Sequence, residues 1–278
     1  MRILVTGGMG YIGENLILKH TDNEVWFDQC DYGVAHPDLP LAHQLSYEDI
    51  EPYDAIVHLA ALSGLAACEL DPRLAVQQNV LTLMNVVQHA SKRGIPVVFT
   101  SSQAAKDPQS SRYAFIKWCC EEICHLYNED RRYSGKNYVI RLANVYGGHM
   151  YLEKKSTCVK QFIINYGLGE PLIVHGDGQQ VRDFIHVEDV CRAIMLIIER
   201  MPFDKSPMDI GTGTSTSIME LQAMFPRKRN QHYEFKKIRN VGAESSIANT
   251  QIAKDRIGFE AQLRLEEYIN QEIGGKIK

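Results

Sequence analysis

The chain has 278 residues, 45% of them hydrophobic and 23% charged, with 30 Lys and Arg against 34 Asp and Glu for a formal net charge of −4. That balance is the composition of an ordinary globular protein, large enough for one α/β domain or two lobes, and it argues against intrinsic disorder. It supplies no chain-wide attraction to nucleic acid or to an anionic membrane, and leaves only a local basic patch to bind phosphate.

The stretch 2-RILVTG-7 reads as a strand at the very start, so the first residues are expected to belong to the fold and not to a secretory signal. A helix from about 10 to 20, a strand 24-EVWFD-28 and a strand 54-DAIVHLA-60 follow. Then come a helix from about 72 to 93, a strand 96-PVVFTS-101, a helix after Arg112 and a strand 137-NYVIRLA-143. Several of these strands are almost continuously apolar, as expected when helices cover both faces of a parallel sheet. The pattern predicts an α/β protein with a doubly wound parallel sheet.

After Gly147 the alternation weakens into short elements such as 171-PLIVHG-176 and 232-HYEFKKI-238, which predicts a smaller mixed α/β lobe that binds substrate. The amphipathic helix in 186-HVEDVCRAIMLIIER-200 is expected to return to the first lobe. The division is therefore 1–148 plus about 181–206 for the first lobe, and about 149–180 plus 207–278 for the second. The longest apolar run in the C-terminal half, 193-AIMLII-198, is too short to span a bilayer, and 55-AIVHLAALSGLAAC-68 is interrupted by His58, Ser63 and Gly64. A soluble cytoplasmic protein without membrane or nucleic-acid partners is expected. Seven cysteines (Cys30, Cys68, Cys119, Cys120, Cys124, Cys158, Cys191) include no CxxC pair, which speaks against a disulfide framework or a thiolate zinc site; no metal is expected.

Within 7-GGMGYIG-13, Gly7, Gly10 and Gly13 fall where a helix should begin. Glycine allows a tight turn and close approach of a pyrophosphate, and the helix N-terminus offers free N–H donors; the bland alternative is a tight turn with close helix packing. The second strand ends in Asp28, 21 residues after Gly7, where an acid would accept ribose hydroxyls, and the conjunction predicts a bound dinucleotide. The Asp28 carboxylate would repel a 2′-phosphate, and no Arg or Lys follows it in 28-DQCDYG-33. NAD is favoured over NADP.

Tyr113 and Lys117 stand four apart at the start of a helix, a spacing repeated at Tyr151 and Lys155 and at Tyr233 and Lys237. Position separates them. The first pair follows a strand ending in Ser101 and Ser102, at the carboxyl edge of the sheet where open α/β folds bind ligands, whereas the others fall in the second lobe. A phenol titrates near 10, so a tyrosine base needs nearby positive charge, which Lys117 would supply together with an oxidised nicotinamide.

The stretches 6-TGGMGYIG-13, 58-HLAA-61, Asn79, 98-VFTSSQA-104, 113-YAFIK-117 with Glu121, 141-RLANVYG-147 and 176-GDGQQVRDFIHVEDV-190 together resemble the extended short-chain dehydrogenase/reductase family. The likeness is to its NAD-dependent nucleotide-sugar epimerases and dehydratases, in the UDP-glucose 4-epimerase-like branch. It implies a Rossmann fold with NAD held by Gly7, Gly10, Tyr11, Ile12, Gly13, Asp28, Gln44, Leu45, Leu59, Ala60, Ala61, Asn79, Ser101, Tyr113 and Lys117. It also implies catalysis by Tyr113, Lys117 and Ser102, with Ser101 satisfied by backbone, and substrate contacts from Ser102, Tyr113, Asn144 and Arg182. Arg182 and Asn144 would meet the diphosphate, the planar guanidinium being suited to phosphate oxygens. The implied reaction is epimerisation of a nucleotide-diphosphate sugar, UDP-hexose at C4, through a transient 4-keto intermediate.

The alternatives are a nucleotide-sugar reductase or dehydrogenase with net redox, and a non-catalytic NAD sensor. A dehydratase would carry a Thr-Asp-Glu run where this chain has Ser101-Ser102-Gln103, and His58 and His186 are given no catalytic role. The chain departs from the family at Gln44, which replaces an acid near the adenine, and at Asp209 and Asn249, where asparagine and aspartate are usual. Its loop from Ser102 to Tyr113 and its second lobe are short. Helices 76–90 and 113–127 are apolar on more than one side, which together with the resemblance predicts a homodimer.

Overall fold

The computed structural model describes residues 1–20, 26–30, 53–149, 157–226, 233–237 and 245–274, with backbone alone for 26–30 and 245. In chain order the first strand β1 (Arg2–Thr6) turns through glycines into α1 (Tyr11–His20), followed by β2 (Trp26–Cys30) and β3 (Ala55–His58). Helices α2 (Leu65–Leu70), α3 (Pro72–Val76) and α4 (Thr82–Arg93) lead to β4 (Val97–Ser102), α5 (Arg112–Glu129) and β5 (Asn137–Leu142). Beyond these lie β6 (Asn144–Tyr146), α6 (Cys158–Leu168), β7 (Leu172–His175), β8 (Val181–Arg182), β9 (Phe184–His186) and α7 (Val187–Arg200). The remaining elements are β10 (Met208–Ile210), β11 (Thr216–Ser217), α8 (Ile218–Ala223), β12 (Tyr233–Lys236), β13 (Ser245–Ser246), α9 (Gln251–Ile257) and α10 (Leu265–Gly274).

Six strands form one parallel sheet in the order β10-β5-β4-β3-β1-β2, the doubly wound arrangement expected from the sequence. Its apolar strands are buried on both faces: Ile3, Val5, Val57, Ile140 and Ile210 pack with α1, α7 and α9, while Phe99 and Val139 pack with Leu83, Val87, Ile116 and Cys120. A separate core of Phe162, Ile163, Tyr166, Leu172, Val174, Leu221, Phe225 and Ile269 gathers α6, β7, α8 and α10. Among the described residues no helix is long and apolar enough to cross a membrane.

Several boundaries differ from expectation. The helix expected over 72–93 contains a π-turn at Gln77–Leu81, an extra residue in the helical ladder at Asn79. The second strand continues to Cys30, so Asp28 pairs with Leu4 in mid-strand and does not end the strand. Two segments assigned to the second lobe lie with the large sheet: β10 pairs with β5, and α9 buries Ala253 and Ile257 in the sheet's core. Both are too short to show a period of their own, and the apolar residues that bury them are split across distant stretches.

Candidate active site

At the carboxyl end of β1, Gly7 adopts φ +73°, and a Cβ there would stand 2.7 Å from the Ala60 nitrogen. A Cβ on Gly13 would lie 2.5 Å from the Gly7 carbonyl, so the first turn of α1 sits directly on the glycine turn. Gly10 is exposed. The result is bare backbone at a helix N-terminus, a shape and polarity that fit a pyrophosphate. The 58–61 stretch is bound to the same turn, since the Leu59 N–H donates to the Thr6 carbonyl at 3.0 Å and the Thr6 hydroxyl contacts His58 Nδ1 at 2.7 Å. The glycine turn and the 58–61 stretch therefore lie against each other.

Other residues expected to touch NAD have different immediate partners. The Tyr11 hydroxyl donates to the Gly147 carbonyl at 2.6 Å, and burial raises its pKa far above the ordinary phenol value. Ile12 packs on the sheet's core. Asn79 clamps the backbone of Leu62, accepting from its N–H at 2.7 Å and donating to its carbonyl at 3.1 Å. The side chain of Asp28, and all of Gln44, Leu45, Tyr151 and Lys155, lie outside the described residues. Tyr233 and Lys237 are in the second lobe, Tyr233 against its core.

Tyr113 and Ser102 are brought together. Ser111 caps α5 by accepting from the Ala114 N–H at 3.1 Å, which starts the helix one residue before Tyr113. Ser102, at the end of β4, accepts from the Ala104 N–H at 3.2 Å, and its side chain stands beside the Tyr113 phenol and acts to lower its pKa. Burial of the phenol raises its pKa, and the Ser102 side chain opposes that rise.

Lys117 occupies a different place from the one expected of it. Its ammonium donates to the Thr100 carbonyl at 2.9 Å and stands 4.9 Å from the centre of the Phe99 ring. It is buried, and burial lowers its pKa. Burial, Ser102 and the Cys68 and Cys120 thiols act on the Tyr113 phenol, while the Lys117 ammonium, one helical turn on, is held on strand backbone. His58 lies in the field of Lys117: burial, then that ammonium, lower its pKa to about 3, which keeps the imidazole neutral.

The neighbouring serine has a partner that its sequence context did not suggest. Ser101 is not satisfied by backbone; its hydroxyl donates to Glu121 Oε1 at 2.5 Å, and Arg141 grips the same carboxylate with Nε at 3.0 and 3.1 Å and Nη2 at 2.5 Å. That commits the Ser101 hydroxyl away from a cofactor. No local signal pointed to it, because Glu121 and Arg141 reach Ser101 from the following helix and the neighbouring strand.

Further out, Asn144 binds the Asp183 carbonyl through its backbone N–H at 2.9 Å and its side-chain amide at 3.3 Å. Arg182 is partly buried, which lowers its pKa, and it donates to the Val181 carbonyl at 2.8 Å. The fully buried Asp183 carboxylate turns to Thr212 N at 3.0 Å, Thr212 Oγ1 at 2.6 Å, Gly213 N at 2.9 Å and Ala248 N at 3.2 Å. Asp209, one of the departures from the family, is buried between Lys106 and the Asn249 N–H.

Residues 3–211 match the model of the NAD dependent epimerase/dehydratase family. The chain belongs to that family. It is therefore an NAD-dependent enzyme, and the glycine cradle, Ser102 and Tyr113 fall within the matched region. Over 250 residues the family member is 28% identical to a putative UDP-glucose 4-epimerase of Methanocaldococcus jannaschii, covering 79% of each chain. It is 26% identical over 298 residues to UDP-glucuronic acid decarboxylase 5 of Arabidopsis thaliana, covering 96% of this chain and 86% of that one. Its fold superposes with a TM-score of 0.85 on UDP-glucose 4-epimerase of Thermotoga maritima, at 24% identity and over 99% of this chain and 98% of the other.

Proposed function

We propose that the protein epimerises a nucleotide-diphosphate sugar, a UDP-hexose at C4, with Tyr113 as the base that exchanges the proton of the C4 hydroxyl. The observation that carries this reading is the placement of Ser102, held by the Ala104 N–H, beside Tyr113 at the sheet edge that also has the glycine cradle. NAD, when bound, supplies the acceptor and donor of the C4 hydride. The chain's own residues move the proton: Ser102 donates toward Tyr113, stabilises its phenolate and can bridge to the substrate oxygen. Lys117, anchored at Thr100 one residue before Ser101, supplies positive charge beneath the site. Asn144 and Arg182 receive the diphosphate, and the names of the two similar proteins favour UDP as the nucleotide.

In this reading the large sheet with α9 holds NAD and the second core holds the sugar nucleotide. Copies pair in the cytoplasm through 76–90 and 113–127, where Val76, Met84, Phe115 and Leu126 are exposed. Light scattering at micromolar concentration should give a dimer. The decisive assay incubates the protein with UDP-, dTDP-, GDP- and ADP-sugars, UDP-glucuronate included, and follows products by NMR. A C4 epimer is expected, and Tyr113→Phe should slow its formation at least about 100-fold. Carbon dioxide release from UDP-glucuronate, or accumulation of NADH with an oxidised sugar, would replace epimerisation by decarboxylation or by net redox.

A further inference from the structure

The short stretch between Ser102 and Tyr113 begins with a 3-10 turn, Gln103–Lys106, and side chains hold that turn at both ends. Ser101, Arg141 and Asp209 stand in register across β4, β5 and β10, so three neighbouring strands present them side by side. Glu121 of α5 binds both Ser101 and Arg141. At the other end Asp209 accepts from Lys106, the last residue of the turn, and from the Asn249 N–H at 2.7 Å. Gln103, the first residue of the turn, donates from Nε2 to the Arg141 carbonyl at 2.9 Å. The circuit runs by hydrogen bonds from Ser101 through Glu121 to Arg141, passes to Asp209 by strand register alone, and returns through Lys106 along the turn to Ser102.

We propose that Lys106 and Asp209 are positioning residues that hold the 103–106 turn, and through it the Ser102 hydroxyl, in place for the reaction. The Asp209 side chain is 6% exposed, which separates this pair from a solvated surface bridge. Removing Lys106 leaves a buried carboxylate with one backbone donor, and the turn loses its outer anchor. The Ala104 N–H that orients Ser102 lies inside that turn, so slack in the turn reaches the hydroxyl directly. An aspartate at 209 is matched by a lysine inside the loop, which ties the departure at 209 to the shortened approach to Tyr113.

The proposal rests on the epimerase reading for its kinetic arm and on the fold alone for its structural arm. Lys106→Met and Asp209→Asn should each lower kcat about tenfold with KM and NAD affinity changed less than about twofold, because misplacement affects the reacting geometry more than ground-state binding. Lys106→Arg should recover most of the rate, and the double variant should be no slower than either single one. Hydrogen exchange of the amides in 103–110 should quicken about tenfold in Lys106→Met while exchange in α7 and β5 stays as it was. Unchanged kcat and unchanged exchange in Lys106→Met would overturn the proposal, and so would loss of protection spread evenly over the sheet. If the unmodified protein converts no sugar nucleotide, the epimerase reading fails, and local exchange in 103–110 still decides whether the circuit holds the turn.

Discussion

His58 gives the protein a pH-dependent stability that can be read residue by residue. Its pKa falls from 6.5 to about 3 because the ring is buried and because the Lys117 ammonium lies close by. The folded state therefore binds fewer protons than the unfolded chain between those two values. The stability held by neutral His58 is complete above about pH 6.5 and drains away as pH falls toward about 3. With an unfolded pKa of 6.5, this one residue costs about 2 kcal/mol at pH 5 and somewhat more than 3 kcal/mol at pH 4, relative to pH 7.5. Urea unfolding of the protein and of His58→Gln at pH 7.5 and 5 tests it. The variant will be weaker at neutral pH for lack of the Thr6 contact, but its additional loss on acidification should be smaller by about 2 kcal/mol, other titrating groups cancelling in the comparison. Equal losses in the two proteins would refute a neutral, buried His58.

Gly7→Ala should weaken NAD binding more than tenfold by calorimetry: the positive φ costs a side chain about 1–2 kcal/mol, and the methyl group would displace the Ala60 backbone from the cradle. NAD affinity unaltered in that variant would show that the 7–60 approach does not shape the site. Asp183→Asn should destabilise the protein by about 2–4 kcal/mol in thermal unfolding, since it turns a fully buried, multiply hydrogen-bonded carboxylate into an amide facing backbone donors. A shift below about 1 kcal/mol would mean that the 212–213 and 248 segments do not depend on it.

What could be read from the residues depended on how local the cause was. The glycine turn, the apolar strands and the helix start near Tyr113 each have local causes, and the described structure has a glycine turn, buried strands and a helix from Arg112 there. That Ser102 and Tyr113 fall at one sheet edge was legible because strand end and helix start are near neighbours in the chain. The Thr100 acceptor of Lys117 was not legible for the opposite reason: a long side chain can reach several acceptors, and which one it takes depends on the carbonyls of β4. Glu121, Arg141, Asp209 and Lys106 meet only because β4, β5 and β10 lie side by side, a pairing across more than 60 residues that no local pattern encodes. Asp183 likewise meets donors from 212, 213 and 248 only after folding.

The hydrogen bonds of α1 to the segment after β6 have a thermodynamic meaning. Tyr11 holds the Gly147 carbonyl, and Asn15 both donates to the His149 carbonyl at 2.5 Å and accepts from its N–H at 2.8 Å. One end of α1 thus frames the glycine cradle while its side chains grip the chain on its way to the second core. A ligand that settles the cradle also settles that passage, and one that settles the passage returns the same free energy to the cradle, because coupling between two sites is reciprocal. In the proposed reading, cofactor and sugar nucleotide should therefore change each other's affinity by an equal factor.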